Sequence, residues 1–129
     1  MGRNRRLDEG SAVVEFALVS SLLVALFLSV LQVGVDLFVR NTLVAAAAEG
    51  ARYAAAADRL PVDGAARTRE VIVAALPGSY AAAVTAGYQT VNGLQTVFVQ
   101  VSAPLPLLGL LGPVGDLVVR GHAVAEVLP

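Results

Sequence analysis

The sequence predicts an α+β protein. It expects a long N-terminal α-helix packed on a short helix and a small antiparallel sheet of about three strands. Two observations carry this. An apolar run begins near Ser11 and passes without a break signal into alanine-rich, helix-favouring sequence that reaches Ala57. The second half instead shows period-two alternation, flanking an Asn92-Gly93 pair and again from Leu117 to Val127.

The first element opens on a short polar leader with Arg3, Arg5 and Arg6, ending at Gly10. From Phe16 to Val35 there is no charge, and only Ser20, Ser21, Ser29 and Gln32 are clearly polar. About twenty residues at roughly 1.5 Å rise match a hydrocarbon core of about 30 Å. The leading arginines place the N-terminus on the cytoplasmic side, and the later ones are interspersed with acids. A secretory signal peptide fits less well, because its apolar stretch is about 7–15 residues and ends at a small-residue cleavage site. Glu15 interrupts the run near its start. A carboxylate at the bilayer centre costs about 2.5–3.5 kcal/mol on insertion scales, so its presence calls for a reason.

Beyond the bilayer, Asp36 and Arg40 stand i, i+4 and can pair at the outer interface. Leu43, Ala46, Ala47, Gly50, Ala51 and Ala54 form a stripe of mainly small residues where another backbone can approach closely. Asp58-Arg59-Leu60-Pro61 ends the helix. The short helix is expected over Gly64–Leu76, with Val71, Ala75 and Leu76 on its apolar side, Arg67 and Arg69 on a solvated face, and Pro77-Gly78 as its stop. Strands are expected over Tyr80–Gln89, Leu94–Ser102 and Leu117–Val127. In the last, Leu117, Val119, Gly121, Ala123, Ala125 and Val127 face one way and Arg120, His122 and Glu126 the other. About 70 residues bury only a modest core, so this part is expected to complete its core with the extramembrane half of the long helix. The apolar Pro/Gly-rich segment from Ala103 to Gly115 reads in two ways: a crossover loop packed on sheet or helix, or an exposed loop touching the outer membrane surface or a partner subunit. The expected organisation is a leader at 1–10, a transmembrane helix at 11–39, its extramembrane continuation at 40–60 and a small α+β domain at 61–129.

Composition narrows function. Apolar residues make up 57% of the chain against 15% charged, which leans toward membrane attachment. Net charge is −1, which leaves no nucleic-acid footprint, and the lack of Cys excludes disulfides and thiolate metal sites. The acids are scattered, no glycine-rich phosphate loop is present, and the single His122 falls on a polar strand face. No catalytic, cofactor or metal site is expected, and the chain is expected not to be an enzyme.

The segment Gly10-Ser-Ala-Val-Val-Glu15-Phe16 has the form G-x-x-x-x-E-[FY] and resembles the processing site of type IV pilin-like proteins, in particular tight-adherence pseudopilins. The stretch from Arg40-Asn-Thr-Leu-Val to Glu49-Gly-Ala-Arg-Tyr53 resembles the TadE-like family, as does the late apolar loop followed by a terminal strand. On this reading the resemblance covers most of the chain. It implies a pilin-like fold and a membrane-anchored minor pilin that supports assembly of Flp-type pili from the bacterial cytoplasmic membrane. The implied partners are a prepilin peptidase that cleaves between Gly10 and Ser11, other pilin-like subunits, the assembly machinery and the lipid bilayer. Cleavage would leave a new ammonium on Ser11 with Glu15 one turn further on. In pilins such a pair is usually formed between subunits, which gives Glu15 an assembly role, with Phe16 completing the motif. Two other readings remain at this point: an uncleaved single-pass protein with a partner-binding outer domain, and a secreted domain released from a signal peptide.

Overall fold

A computed structural model describes residues 2–104 and 116–126. Helix α1 spans Gly2–Ala54, α2 Pro61–Ala75, and a 3₁₀ turn occupies Gly78–Ala81. Strands β1 (Ala83–Val91), β2 (Leu94–Pro104) and β3 (Asp116–Val124) follow. The expected α+β architecture is the observed one. The Ala103–Gly115 loop lies outside the described residues beyond Pro104.

The chain divides into two units, one up to Gly34 and one from Val35 onward. The first is helical, with apolar side chains around the whole helix circumference and nearly all of them exposed. Among the described residues, α1 is the one helix long and apolar enough to cross a membrane. The Ser21 and Ser29 hydroxyls donate to the carbonyls of Ala17 (2.7 Å) and Ala25 (2.8 Å), so each is satisfied within its own helix.

In the second unit the sheet runs β1-β2-β3, antiparallel throughout. Asn92 (φ 50°) and Gly93 (φ 80°) form the two-residue hairpin turn the sequence predicts, with Val91 opposite Leu94. Val97, Val99 and Val101 turn inward from β2, and Leu117, Val119 and Gly121 from β3. Arg120 and His122 face solvent, as the alternation requires. The inner face packs on Val39, Leu43, Ala46, Ala47 and Ala51 of α1 and on Ile72 and Leu76. The core is therefore completed by the later part of the long helix, as expected from the small size of the rest.

Three details differ from expectation. Helix α1 stops at Ala54, not Ala57, because nearby backbone groups take partners elsewhere. The Glu126 amide donates to the Ala55 carbonyl (2.8 Å), and the Ala57 amide donates to Glu126 Oε2 (3.3 Å). Pro61 opens α2 as its first helical residue: Leu60 is extended, and its amide donates to the Asp63 carboxylate (2.7 Å), which seals the N-terminus. The buried side of α2 is Gly64, Ala65, Thr68 and Ile72, whereas Ala75 is exposed and Val71 only half-buried. Leu76 is buried and Val71 packs against the core as expected, but the closest approach to α1 uses the small residues Gly64 and Thr68. Strand β1 also starts later than Tyr80, since the Tyr80 amide donates to the Pro77 carbonyl (3.0 Å) in the 3₁₀ turn.

The small-residue stripe of α1 is occupied within the chain itself. Leu43, Ala46, Ala47, Gly50, Ala51 and Ala54 are all buried. A Cβ on Gly64 would stand 2.6 Å from the Gly50 carbonyl oxygen and from the Ala54 Cβ, and one on Gly121 would run into the Ala47 backbone. At the α1–α2 crossing, the Thr68 hydroxyl lies 2.8 Å from the Gly64 carbonyl and 3.3 Å from that of Ala46.

Arg67 and Arg69 are not simply solvated. Arg67 reaches Glu70 (3.2 Å) and, across to α1, Glu49 (3.7 Å), which also meets Arg52 (3.5 Å). Arg69 Nη2 donates to the Val84 carbonyl on edge strand β1 (3.0 Å). These pairs are largely exposed, so each is worth about 0–1 kcal/mol.

Candidate functional site

The residues singled out from sequence all lie on the first unit of α1. Gly10, Ser11, Glu15 and Phe16 are helical and exposed, with Phe16 at 75%. No neighbour lies within 4 Å of where a Gly10 Cβ would stand. Ser11 and Glu15 are four residues apart, which places them one above the other on the same helix face. In the intact chain the Ser11 nitrogen is a helical amide with no charge, so a pair with Glu15 requires the Gly10–Ser11 bond to be cut. Glycine in a helix interior costs about 0.5–1 kcal/mol relative to alanine, so the helix is intrinsically weak where a peptidase would have to open it.

The apolar surface beside Glu15 is continuous. Val13, Val14, Phe16, Leu18 and Val19 are all exposed. A carboxylate in such a surroundings gains most from a cation brought to it in a low-dielectric layer. The arrangement thus offers one carboxyl contact point on a stretch of helix, Ser11 to Val35, that carries no other Asp, Glu, Lys or Arg.

A second feature escaped the sequence reading. Tyr53, Asp63, Ala66, Arg67 and Glu70 line an open cleft of about 150 Å³ on the second unit. The Arg59 guanidinium stacks over the Tyr53 ring at 3.6 Å. The sequence signal was present in the i, i+3 pairs Glu49/Arg52 and Arg67/Glu70, but nothing in one dimension shows that Arg67 and Glu49 meet. On the outer sheet face, Arg120 lies over Phe98 (4.6 Å) and donates to Gln100 Oε1 (2.6 Å), with His122 exposed opposite Phe98. Among the described residues, no group of three or more His, Cys, Asp or Glu side chains is placed to hold a metal ion.

Comparison with known proteins returned no curated protein and no solved structure as a match. A protein-family model described as TadE-like protein does match, over residues 10–52. This is about a third of the chain, shorter than the resemblance read from the sequence, and it leaves Tyr53, the late loop and the terminal strand outside. It begins at Gly10 itself and includes Ser11, Glu15 and Phe16. Over Gly10 to Arg52 this chain is therefore similar to the TadE-like protein family.

Proposed function

We propose that this chain is a membrane-anchored pseudopilin, a minor pilin that supports assembly of tight-adherence, Flp-type pili and is processed after Gly10 by a prepilin peptidase. It acts as a substrate and structural subunit, not as a catalyst. Its N-terminus starts in the cytoplasm and its α+β unit lies outside the cytoplasmic membrane. The observation that carries this reading is the coincidence of three features at one place: the arginine leader ends at Gly10, the TadE-like match starts there, and Glu15 follows on an exposed apolar helix. After cleavage the Ser11 ammonium and Glu15 of neighbouring subunits neutralise each other and set their axial register. N-terminal sequencing of the protein from its native membrane tests this. A mature start at Ser11 is expected, whereas an intact Met1 would make it an uncleaved single-pass protein.

Glu15→Ala should still be cleaved, because the scissile bond and leader are intact, yet it should sharply reduce pilus assembly. Electron microscopy of surface pili reads the effect, and normal piliation in that variant would remove the charge-pairing role.

A further inference from the structure

The unit that begins at Val35 has two ends of different chemistry, and contacts within it give their order along α1. Gly121 lies against Ala47, and the Glu126 amide bonds the Ala55 carbonyl, so β3 runs parallel to α1. Gly64 faces Gly50 and Ala54 while Thr68 reaches Ala46, so α2 runs antiparallel to it. The end level with Val35 and Val39 therefore gathers the C-terminus of α2, the 3₁₀ turn, the start of β1, the end of β2 and the start of β3. The core agrees: Val39 packs in one cluster with Leu76, Ala81, Ala103 and Leu117, and Val35 packs against it.

The chain carries no Asp, Glu, Lys or Arg from Val71 to Pro104, so the hairpin at the other end is uncharged, as is the α2–β1 connection at this end. Pro77, Gly78, Ser79 and Pro104 are exposed there, and Tyr80 is half-buried. On α1, Leu37 and Phe38 are exposed too. Among the described residues, the charged ones at this level are Asp36 and Arg40 on α1, Asp116 at the start of β3 and Arg69, two acids and two bases. Arg69 bonds the Val84 carbonyl near the start of β1. The ion pairs among Glu49, Arg52, Arg67 and Glu70, and that of Asp58 with Arg59, lie toward the other end.

Val35 is both the last residue of the apolar run and a packing partner of the core. Val39, the first buried residue of α1, is 4% exposed and lies about 6 Å further along the helix axis. The headgroup layer on each side of a bilayer is about 5–7 Å thick. The core thus begins within the depth of that layer, with no spacer in the sequence.

We propose that this end of the α+β unit rests on the outer phospholipid surface, with the Pro77–Tyr80 turn at headgroup depth. The proposal rests on the membrane-anchor reading and deepens it. Tyr80 suits the place, since an aromatic ring with a polar tip partitions to the membrane interface.

The chain contains no Trp, so a single introduced indole reports its own position. Full-length Phe27→Trp, Ser79→Trp, Pro104→Trp and Thr90→Trp variants would be reconstituted in vesicles whose phospholipids carry a nitroxide near the glycerol. Thr90 lies next to the hairpin at the far end and serves as the distal probe. The expected result is strong loss of emission for Ser79→Trp and Pro104→Trp and retained emission for Thr90→Trp. Using two proximal sites on different elements keeps a local folding defect from deciding the outcome. If quencher lipids placed at acyl-chain depth extinguish Phe27→Trp while both proximal probes stay as bright as Thr90→Trp, the surface contact is overturned and the anchor stands. If Phe27→Trp is unquenched at every depth, the anchor reading falls and this contact with it. Equal quenching of proximal and distal probes also overturns the end-on contact.

Discussion

Gly50→Ala is expected to destabilise the α+β unit by about 1–3 kcal/mol, the usual range for overpacking a filled site. Helix propensity alone predicts the opposite sign, because alanine is about 1 kcal/mol better than glycine in a helix interior. Packing decides. A Cβ at Gly50 would be driven into the Thr68 hydroxyl and would lie 2.5 Å from the Gly64 carbonyl oxygen. The hydroxyl could rotate away only by giving up its bonds to the Gly64 and Ala46 carbonyls, and the carbonyl is main chain. Thermal unfolding of the full-length protein in detergent measures the effect, each kcal/mol moving Tm by about 4–8 °C for a domain of this size. Gly34→Ala is the internal control: nothing lies within 4 Å of its Cβ position, so it should be neutral or mildly stabilising. A Gly50→Ala protein as stable as the Gly34→Ala protein would refute the close α1–α2 crossing.

The other large effect is all-or-none. Gly10→Leu should abolish processing in a strain carrying the cognate peptidase. Leucine puts a branched side chain at a position that is bare in the native chain. It also strengthens the helix across the scissile bond by most of a kcal/mol, since leucine propagates helix nearly as well as alanine. Both changes oppose entry of an opened backbone into a peptidase site. The variant should keep its arginine leader and migrate as the precursor on denaturing gels. If it instead migrates with processed wild type, cleavage after Gly10 is wrong, whatever the family match implies.

The candidate site was legible because it is linear. Gly10, Ser11, Glu15 and Phe16 lie within two turns of one helix, so spacing alone fixes their relative placement. The hairpin was legible for a similar reason, since Asn92-Gly93 supplies the two positive φ values its turn needs. The small-residue stripe of α1 was visible too, but its occupant was not. Sequence cannot tell a partner subunit from the same chain folding back, and the crossing through Gly50, Gly64 and Thr68 is a tertiary fact. The same limit explains why the apolar side of α2 was read without Gly64 and Thr68. Hydrophobic periodicity weights Val71 and Leu76, whereas the tightest contact selects for the absence of side-chain volume at Gly64. Arg67 and Arg69 looked like surface charges for want of their distant acceptors, Glu49 and Val84.

The bond from Arg69 to the Val84 carbonyl has a consequence for the edge of the sheet. Strand β1 is an edge, and an open edge is a template on which a second chain can add as a further strand. With nine residues and no proline or bulge to blunt it, β1 would be a seed for self-aggregation. Arg69 fills an acceptor on that strand with a charged group that a docking strand would have to displace and desolvate. A single side chain from α2 thus opposes strand addition at that point of the edge.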